Sequence, residues 1–430
     1  MKKALIICYY WPPAGGPGVQ RWLKFVSHLK SFNISPVVYV PENPSYPIID
    51  KDLAAHIPAD ITVLKHPIKE PYTLAALFSK KKTQQISSGI ISTKKASFFE
   101  KLLLFVRGNY FIPDARVGWV TPSVVFLKQY LKTHDVDCII TSGPPHSLHL
   151  IGMELHNQLH LPWIADFRDP WTTIHYHKSL RLTKASAARH KALESLVLNT
   201  ATHIVVTSPS TEKEFSLLTK NPITVITNGF EPLELNPQEL DTKFSLVHIG
   251  SLLTKRNPIV LWEVLSELVG EDPIFAQDLE ISLTGVVSNE VLKSIAFVGL
   301  TKNTIINSYV PHNKAVMLQH KAQVLLLLEV DSEDTKAIIP GKLFEYLQAQ
   351  RPIIALGPKG SDIQDIISTT ASGVFIAANQ KEELKQQLLS YYNAYKNGTL
   401  FLKSKNLELY TRKALTQKLA TVINTVIVSP

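Results

Sequence analysis

The sequence has few cysteines and no long apolar run. Cys8 and Cys138 are its only cysteines among 430 residues, and both lie in apolar stretches typical of buried strands. Such thiols indicate a reducing compartment and not a disulfide or a metal site. No stretch approaches the ~20 apolar residues of a membrane-spanning helix. The apolar run after Lys2 and Lys3 lacks a small-residue cleavage site. We therefore expect a soluble cytoplasmic protein.

Signatures of nucleic-acid binding are also missing, although the formal net charge is +9. No basic helix, zinc-ligand spacing or aromatic RNA-binding motif accompanies the charge, so we expect no nucleic-acid partner. Lysines at 80–82 and 94–95 carry part of the charge and precede an amphipathic run at 97–108. This segment fits either a peripheral contact with the inner face of an anionic membrane or a solvated loop followed by a core-packing helix.

With 45% hydrophobic and 19% charged residues, the chain can bury large cores. Short β-branched strands alternate with turns and helical patterns, which predicts parallel sheets covered on both faces. In the first half we expect strands at 4–10, 35–40, 138–142, 163–166, 203–208 and 223–227. A polar linker at 231–243 interrupts the pattern. It resumes with strands at 244–250, 279–285, 323–330, 352–356 and 373–377.

The two runs of strands predict an α/β fold with two doubly wound Rossmann-like domains, at 1–235 and 236–430. We expect the last helix of the chain to pack back on the first domain. The stretch 66–120 is long and less regular than the rest of the first half. Long insertions of this kind are usually lids or binding loops, so we interpret it as an insertion or lid on the acceptor side of the protein.

Open parallel sheets bind ligands beyond the carboxyl ends of their strands. After the first predicted strand, Gly15 and Gly16 form a permissive turn, and a helical pattern follows them. Glycines let a ligand approach the backbone, and the start of a helix favours anions. A plain tight turn explains the same residues, so the glycine loop is weak support when taken alone.

Polar residues follow three further strands of the first half. His146 comes after strand 138–142 and is expected in the first turn of a helix, where the ring is biased toward neutrality. Asp166, Arg168 and Asp169 crowd the turn after strand 163–166, and Asn228 follows strand 223–227. We expect Asp166, Arg168, Asp169 and Asn228 to line a cleft or bind the acceptor. The alternative for the Asp–Arg–Asp group is an internally paired helix cap.

In the second half, Gly250 ends a strand and is followed by Lys255 and Arg256. A guanidinium beside a glycine turn suits a diphosphate group. Which of the two cations binds phosphate is left open.

A sharper pattern follows Pro340. Gly341 opens a predicted helix, so its first amides and Lys342 point toward an anion. Glu345 lies one turn further on and can accept hydrogen bonds from two ribose hydroxyls. The alternative is an ordinary Lys342–Glu345 pair on one helix face.

One metal-binding pattern is rejected. Asp135 and Asp137 form a D-x-D sequence, but it precedes strand 138–142 and falls at the wrong end of the sheet. We interpret it as a solvated turn and expect no bound metal.

Several segments match a known family in order: YYWPPAGGPGVQR, SGPPHSLHLIG, ADFRDPW, VVTSPS, VITNGF, HIGSL and PGKLFEYLQAQRPIIA. On these segments the chain resembles glycosyltransferase family 4, retaining enzymes of the GT-B fold, and in particular members that build bacterial surface polysaccharides. The resemblance spans nearly the whole chain. It implies two Rossmann-like domains that face a central cleft.

The resemblance also implies roles for individual residues. The loop of Gly15 and Gly16 would lie under the donor diphosphate, and His146 would hydrogen-bond the donor sugar. Arg256 and Lys342 would hold the phosphates, and Glu345 the ribose.

The resemblance further implies transfer of a hexose-type sugar from a nucleotide diphosphate sugar, which is a co-substrate, without a metal or another cofactor. The acceptor would be a saccharide or a lipid-linked saccharide in cell-surface polysaccharide synthesis. The sequence departs from the family at Ala337, where an E-x7-E pattern ending at Glu345 places a glutamate. Asp331, Glu333 or Asp334 are candidates to replace it.

Two alternatives stay open. A nucleotide-sugar 2-epimerase of the same fold would use the same nucleotide pocket but would need acid/base carboxylates. A non-catalytic degenerate transferase is compatible with Ala337.

Overall fold

The computed structural model describes residues 1–70, 98–174, 177–233 and 239–428. They form two compact units. The first unit is Met1–Asn228 together with Arg412–Pro430, and the second is Gly229–Thr411. The sequence placed this boundary after residue 235. The lysines at 80–82 and 94–95, and part of the predicted linker, lie outside the described residues.

The first unit is built on a parallel sheet that is seven strands wide among the described residues, in the order β3-β2-β1-β4-β5-β6-β7. Its strands are β1 (Lys2–Ile7), β2 (Ile34–Pro41), β3 (Thr62–His66), β4 (Cys138–Gly143), β5 (Trp163–Phe167), β6 (His203–Val206) and β7 (Ile223–Val225). Its helices are α1 (Pro17–Leu29), α2 (Phe98–Tyr110), α3 (Val120–Leu131), α4 (Ser147–Leu159), α5 (Lys184–Thr200) and α6 (Pro209–Phe215).

The second unit repeats this architecture with a six-stranded parallel sheet in the order β10-β9-β8-β11-β12-β13. Its strands are β8 (Phe244–Ile249), β9 (Leu279–Thr284), β10 (Thr304–Asn307), β11 (Val324–Leu328), β12 (Ile353–Gly357) and β13 (Gly373–Ala377). Its helices are α7 (Ile259–Glu271), α8 (Pro273–Asp278), α9 (Asn289–Phe297), α10 (His312–Lys321), α11 (Gly341–Ala349), α12 (Asp362–Thr370) and α13 (Lys381–Lys396).

Both sheets are buried on both faces, as continuous apolar strands require. Along β1, Leu5 and Ile7 join one hydrophobic core, whereas Ala4 and Ile6 join another. The second sheet likewise separates two cores. This alternation is the two-residue period of a strand that is covered on both sides.

The chain ends with helix α14 (Arg412–Val428), which belongs to the first unit. It packs against α1, and its Leu419 and Ile423 lie in the same core as Leu23 of α1. The Arg412 guanidinium donates a hydrogen bond of 2.7 Å to the side-chain oxygen of Gln20. The first unit is therefore completed by residues from the far end of the sequence.

The predicted α/β fold with two doubly wound halves is confirmed. The sequence missed two strands, β3 and β10, which are the outermost strands of their sheets. Both are short and partly exposed, so neither shows the continuous apolar run by which the other strands were recognised. No helix in the described ranges is long and apolar enough to cross a membrane.

Candidate functional site

Each sheet has one point at which the strand order reverses. β1 lies between β2 and β4, and β8 lies between β9 and β11. In open parallel sheets, ligands bind outside the carboxyl ends of the strands at this reversal. The candidate site residues are therefore expected in the loops that follow β1 and β4 in the first unit, and β8 and β11 in the second.

The predicted glycine loop follows β1. The Gly15 amide donates to the Ile48 carbonyl at 3.0 Å, and a Cβ on Gly15 would lie 2.9 Å from the Ile48 side chain. Gly16 has a φ of 105° and precedes α1, whose start carries no side-chain cap. The loop thus has both a packing reason for glycine at Gly15 and uncapped helix amides beside Gly16, and its role toward the donor stays a prediction.

Arg168 lies close to the start of α1. A Cβ on Gly18 would fall 1.7 Å from its Nη1 atom, so a side chain at this position would displace the guanidinium. Arg168 donates to the Pro144 carbonyl after β4, and its guanidinium lies 5.7 Å from the centre of the Tyr10 ring. This side chain bridges the loops that follow β1, β4 and β5.

Asp166 is buried and engaged by several protein donors. Its Oδ1 forms an ion pair of 2.9 Å with Arg21, and its Oδ2 accepts from Trp22 at 3.0 Å and from Ser142 at 2.7 Å. The predicted alternative, an Asp–Arg pair within the turn, is not what Asp166 forms: its partners come from α1 and β4. The carboxylate thus connects α1 to the sheet beside the switch point, which is the point where the strand order reverses.

The other two candidates of the first unit lie in the segments that follow strands β5 and β7. Asp169 lies in the turn after β5 and Asn228 after β7, and both are half-buried. A role for either toward the acceptor stays a prediction.

His146 was expected in the first turn of a helix, but it is the residue that precedes α4. Its ring is buried and stacked on Trp171, with ring centres 4.9 Å apart. Neither ring nitrogen has a hydrogen-bond partner among the described residues. Burial, and not the helix start, is the main reason why the pKa of His146 lies well below its usual value. The ring is neutral and offers one donor and one acceptor.

Residues that the sequence analysis missed support this ring. The Trp171 indole donates to His190 Nδ1 at 3.1 Å, and His190 Nε2 donates to the Gly108 carbonyl at 3.2 Å. Asp114 accepts from the Ser147 amide at 2.9 Å and so caps the start of α4. These contacts fix the aromatic partner of His146 and the helix start beside it. They join segments that are distant in sequence and carry no shared motif.

In the second unit, Gly250 and Lys342 come together. Gly250 follows β8 with a φ of 120°, and a Cβ built on it would lie 3.5 Å from the Lys342 ammonium. That ammonium is buried and has no hydrogen-bond partner in the described part of the chain. Burial, together with Arg256, lowers the pKa of Lys342 to about 8, although Glu329 and Glu345 oppose the shift. Gly341 places this lysine in the first turn of α11, as predicted.

Glu329 is the functional candidate that the sequence analysis missed. It directly follows β11, is buried, and its Oε2 lies 3.3 Å from Arg256 Nη2. Its Oε1 has no partner among the residues described. Burial raises the pKa of Glu329, while Arg256 and Lys342 oppose that shift. The signal in the sequence was an acidic residue at the end of the apolar run QVLLLLEV, directly at a strand end.

We call Gly250, Arg256, Glu329 and Lys342 the phosphate cluster. Arg256 and Glu329 also line a cavity of about 210 Å³ at the carboxyl ends of β11, β12 and β13. Lys255 lines the same cavity but is exposed, whereas Arg256 is partly buried against Glu329. Of the two cations, Arg256 is therefore the one that belongs to the cluster, and its role toward phosphate stays a prediction.

Glu345 does not pair with Lys342, which was the alternative to ribose binding. Its Oε2 accepts from Gln319 of α10 at 2.9 Å, and its Oε1 lies 4.0 Å from His312. About a third of the side chain is exposed. The carboxylate is positioned by α10 and keeps access to solvent.

Ala337 leaves the family pattern incomplete, and the candidate replacements differ. Glu333 is exposed and pairs with Lys336 at 2.7 Å. Asp331 lines the cavity beside the phosphate cluster. The position of Asp331 makes it the better candidate.

No group of three or more metal-ligating side chains occurs among the residues searched, which are the described ones. The D-x-D pattern lies at the amino ends of β1 and β4, where Asp137 accepts from the Lys3 amide at 2.6 Å. This confirms the interpretation of the pattern as a turn at the wrong end of the sheet.

Comparisons with known proteins agree with this geometry. Over its full length, the chain has the fold of sucrose-phosphate synthase from Thermosynechococcus elongatus, with a TM-score of 0.60, 12% identity and 100% of both chains covered. It is similar to WaaG, a glycosyltransferase involved in lipopolysaccharide biosynthesis (TM-score 0.54, 14% identity, 98% and 99% covered). A protein from Listeria monocytogenes described as a UDP-N-acetylglucosamine 2-epimerase is also similar (TM-score 0.56, 12% identity, 99% and 96% covered). The fold is GT-B.

Residues 90–232 match the family model of Glycosyltransferase Family 4, which confirms the predicted family resemblance over that part of the chain. No curated protein matches the chain by sequence. The family match and the GT-B fold together support a glycosyltransferase.

The first prediction concerns Asp166. Asp166→Asn leaves the buried Arg21 without its counter-ion, so we expect the free energy of unfolding to fall by about 3–5 kcal/mol. Urea denaturation measures the change. Asp60→Asn is the control, because Asp60 pairs with Lys30 on the surface and the variant should unfold like the wild type. An Asp166→Asn protein that unfolds like the wild type would show that the pair with Arg21 does not stabilise the fold.

Proposed function

We propose that the chain transfers a hexose-type sugar from a nucleotide diphosphate sugar to a saccharide or lipid-linked saccharide. We further propose retention of anomeric configuration and a place in cell-surface polysaccharide synthesis. The observation that carries the proposal is the phosphate cluster, in which the buried ammonium of Lys342 lies unpartnered near Arg256 at the switch point of a GT-B unit. A buried cation without a partner is costly, and a diphosphate would satisfy Lys342.

The chemistry needs only what the cluster supplies. When the sugar leaves, negative charge develops on the departing nucleotide diphosphate, and preorganised cations stabilise that charge most effectively where water is excluded. Lys342 and Arg256 are suited to this role, so neither a metal nor a protein nucleophile is required. A phosphate oxygen of the leaving group can accept the proton of the attacking hydroxyl. The neutral ring of His146 suits a sugar hydroxyl, and the family resemblance gives it that role.

The surface-polysaccharide assignment rests on the family resemblance and on WaaG, whose description places it in lipopolysaccharide biosynthesis. The same fold also occurs in the protein described as a 2-epimerase, so the fold does not exclude that alternative. Incubation with nucleotide sugar alone separates the two activities, because only an epimerase forms the epimeric nucleotide sugar from it.

The direct test of the proposal is a transfer assay with UDP-, GDP- and ADP-sugars and saccharide acceptors. We expect transfer in the presence of excess chelator, because the cluster provides the positive charge that a metal would otherwise supply. Transfer that stops with EDTA and returns with Mg²⁺ or Mn²⁺ would show that the metal-free mechanism is wrong.

Glu345→Ala tests the ribose contact. Each hydrogen bond from a hydroxyl to this carboxylate is worth ~1.5–3 kcal/mol, and the loss of the displaced water reduces the sum. We therefore expect the Kd of the best-binding nucleoside diphosphate to rise about 10- to 100-fold. Calorimetric titration measures it, and Glu345→Gln should lose less affinity than Glu345→Ala.

The control for Glu345 is Gln319→Met. This variant removes the hydrogen bond from Gln319 to the Glu345 carboxylate, and it leaves the carboxylate and its charge in place. If Glu345 acted only by holding α10, both variants would weaken nucleotide binding equally. We expect Gln319→Met to have the smaller effect.

The lowered pKa of Lys342 predicts a pH dependence. Because its pKa is about 8 in the free protein, the cationic fraction falls as pH rises through 8, and affinity for a nucleoside diphosphate should fall with it. The slope is at most about tenfold per pH unit. Lys342→Arg, whose side chain stays charged, should flatten the profile between pH 7 and 9.5. An equal slope in both proteins would assign the titration to another group.

A further inference from the structure

The Glu329 carboxylate is a negative charge inside a site that is otherwise suited to anions. It lies at the end of β11 with 7% of its side chain exposed, 3.3 Å from Arg256 through one oxygen atom and without a partner at the other. A diphosphate that bound Arg256 and Lys342 would meet this carboxylate. Two negative charges close to each other repel strongly where water is excluded. A glutamate at this position of an anion-binding site therefore requires an explanation.

A purely stabilising ion pair is a weak explanation. Burying two charges is repaid only when the geometry is good and the remaining lone pairs are satisfied. Here the contact is a single one of 3.3 Å, and one carboxylate oxygen is left without a partner. A surface pair elsewhere in the same unit, Glu271 with Lys385, is closer at 2.7 Å. The geometry of Glu329 is that of a loose contact.

We propose that Glu329 is a positioning residue that holds Arg256 in the empty phosphate cluster and releases it to the diphosphate, taking up a proton from solvent as the ligand binds. This inference rests on the proposed function. In the empty site the carboxylate offsets part of the charge of Arg256 and Lys342. In the occupied site the diphosphate replaces it as the partner of Arg256, and a neutral carboxylic acid no longer repels the ligand.

Several titratable groups surround the phosphate cluster. Burial raises the pKa of Glu329 and so favours the protonated form, whereas Arg256 and Lys342 oppose this shift in the empty site. His248 of β8 is held neutral by burial, aided by Lys342, and its Nδ1 donates to the Leu326 carbonyl at 3.0 Å. The Tyr346 hydroxyl accepts from the Ile249 amide at 3.0 Å, and burial raises its pKa. Asp331 and Lys255 lie on the cavity wall and add charges of opposite sign.

Calorimetry of the full chain tests the proposal. The best-binding of UDP, GDP and ADP, and inorganic pyrophosphate, would be titrated at pH 7 in two buffers of different ionisation enthalpy, which gives the number of protons taken up. Three proteins are compared: wild type, Glu329→Gln, which mimics the protonated side chain, and Glu271→Gln as a matched control on the surface. The matching phosphate-free nucleoside serves as a control ligand.

We expect wild type and Glu271→Gln to take up protons with both phosphate ligands. Glu329→Gln should take up fewer protons and bind both ligands tighter, by up to about tenfold (~1.4 kcal/mol). Affinity for the nucleoside should not change. Equal proton uptake in Glu329→Gln and wild type would overturn the proposal, as would weaker binding of both phosphate ligands by the variant. If none of the three nucleoside diphosphates bound wild type, the proposed function itself would fail, and that outcome is distinct from a failure at Glu329.

Discussion

In each unit, the strand order of the sheet reverses at one strand, and this reversal determines where polar side chains gather. β1 pairs with β2 and β4, and β8 pairs with β9 and β11. Because crossover connections are right-handed, the chain leaves the two sides of such a strand toward opposite faces of the sheet. The carboxyl ends beside the reversal are then left open. His146 follows β4 beside the reversal of the first sheet. Gly250 and Glu329 follow β8 and β11 at the reversal of the second sheet.

The two units use this opening differently. In the first, the buried carboxylate of Asp166 pairs with Arg21, and the two nitrogens of the neutral His146 ring have no partner among the described residues. In the second, the ammonium of Lys342 and one carboxylate oxygen of Glu329 are without partners in the described part of the chain. Neutral rings are suited to the hydroxyls of a sugar, and buried cations to a phosphate. The unpartnered ammonium of Lys342 is a physical reason, independent of any family, to look for the phosphates in the second unit.

Much of this arrangement was readable from the sequence because it follows from local patterns. The apolar strands predicted both sheets, and the rule that ligands bind at strand ends led to His146, Gly250 and Arg256. The helix start at Gly341 led to Lys342. Long-range partners could not be predicted. Asp166 was assigned to the acceptor because its neighbours in sequence are charged, whereas its partners are Arg21 and Trp22, more than 140 positions away. The edge strands β3 and β10 were missed because exposure removes the apolar signal.

The phosphate cluster also explains why a loose contact such as that of Arg256 with Glu329 is of use in a binding site. A tight internal pair would have to break before an anion could bind, and this would weaken affinity. Cations with no counter-charge would destabilise the empty unit, since each buried charge lacks water. A single 3.3 Å contact lies between these limits. It keeps Arg256 near the position where it is needed and leaves Lys342 free to receive the ligand, so stability is given up where binding requires it.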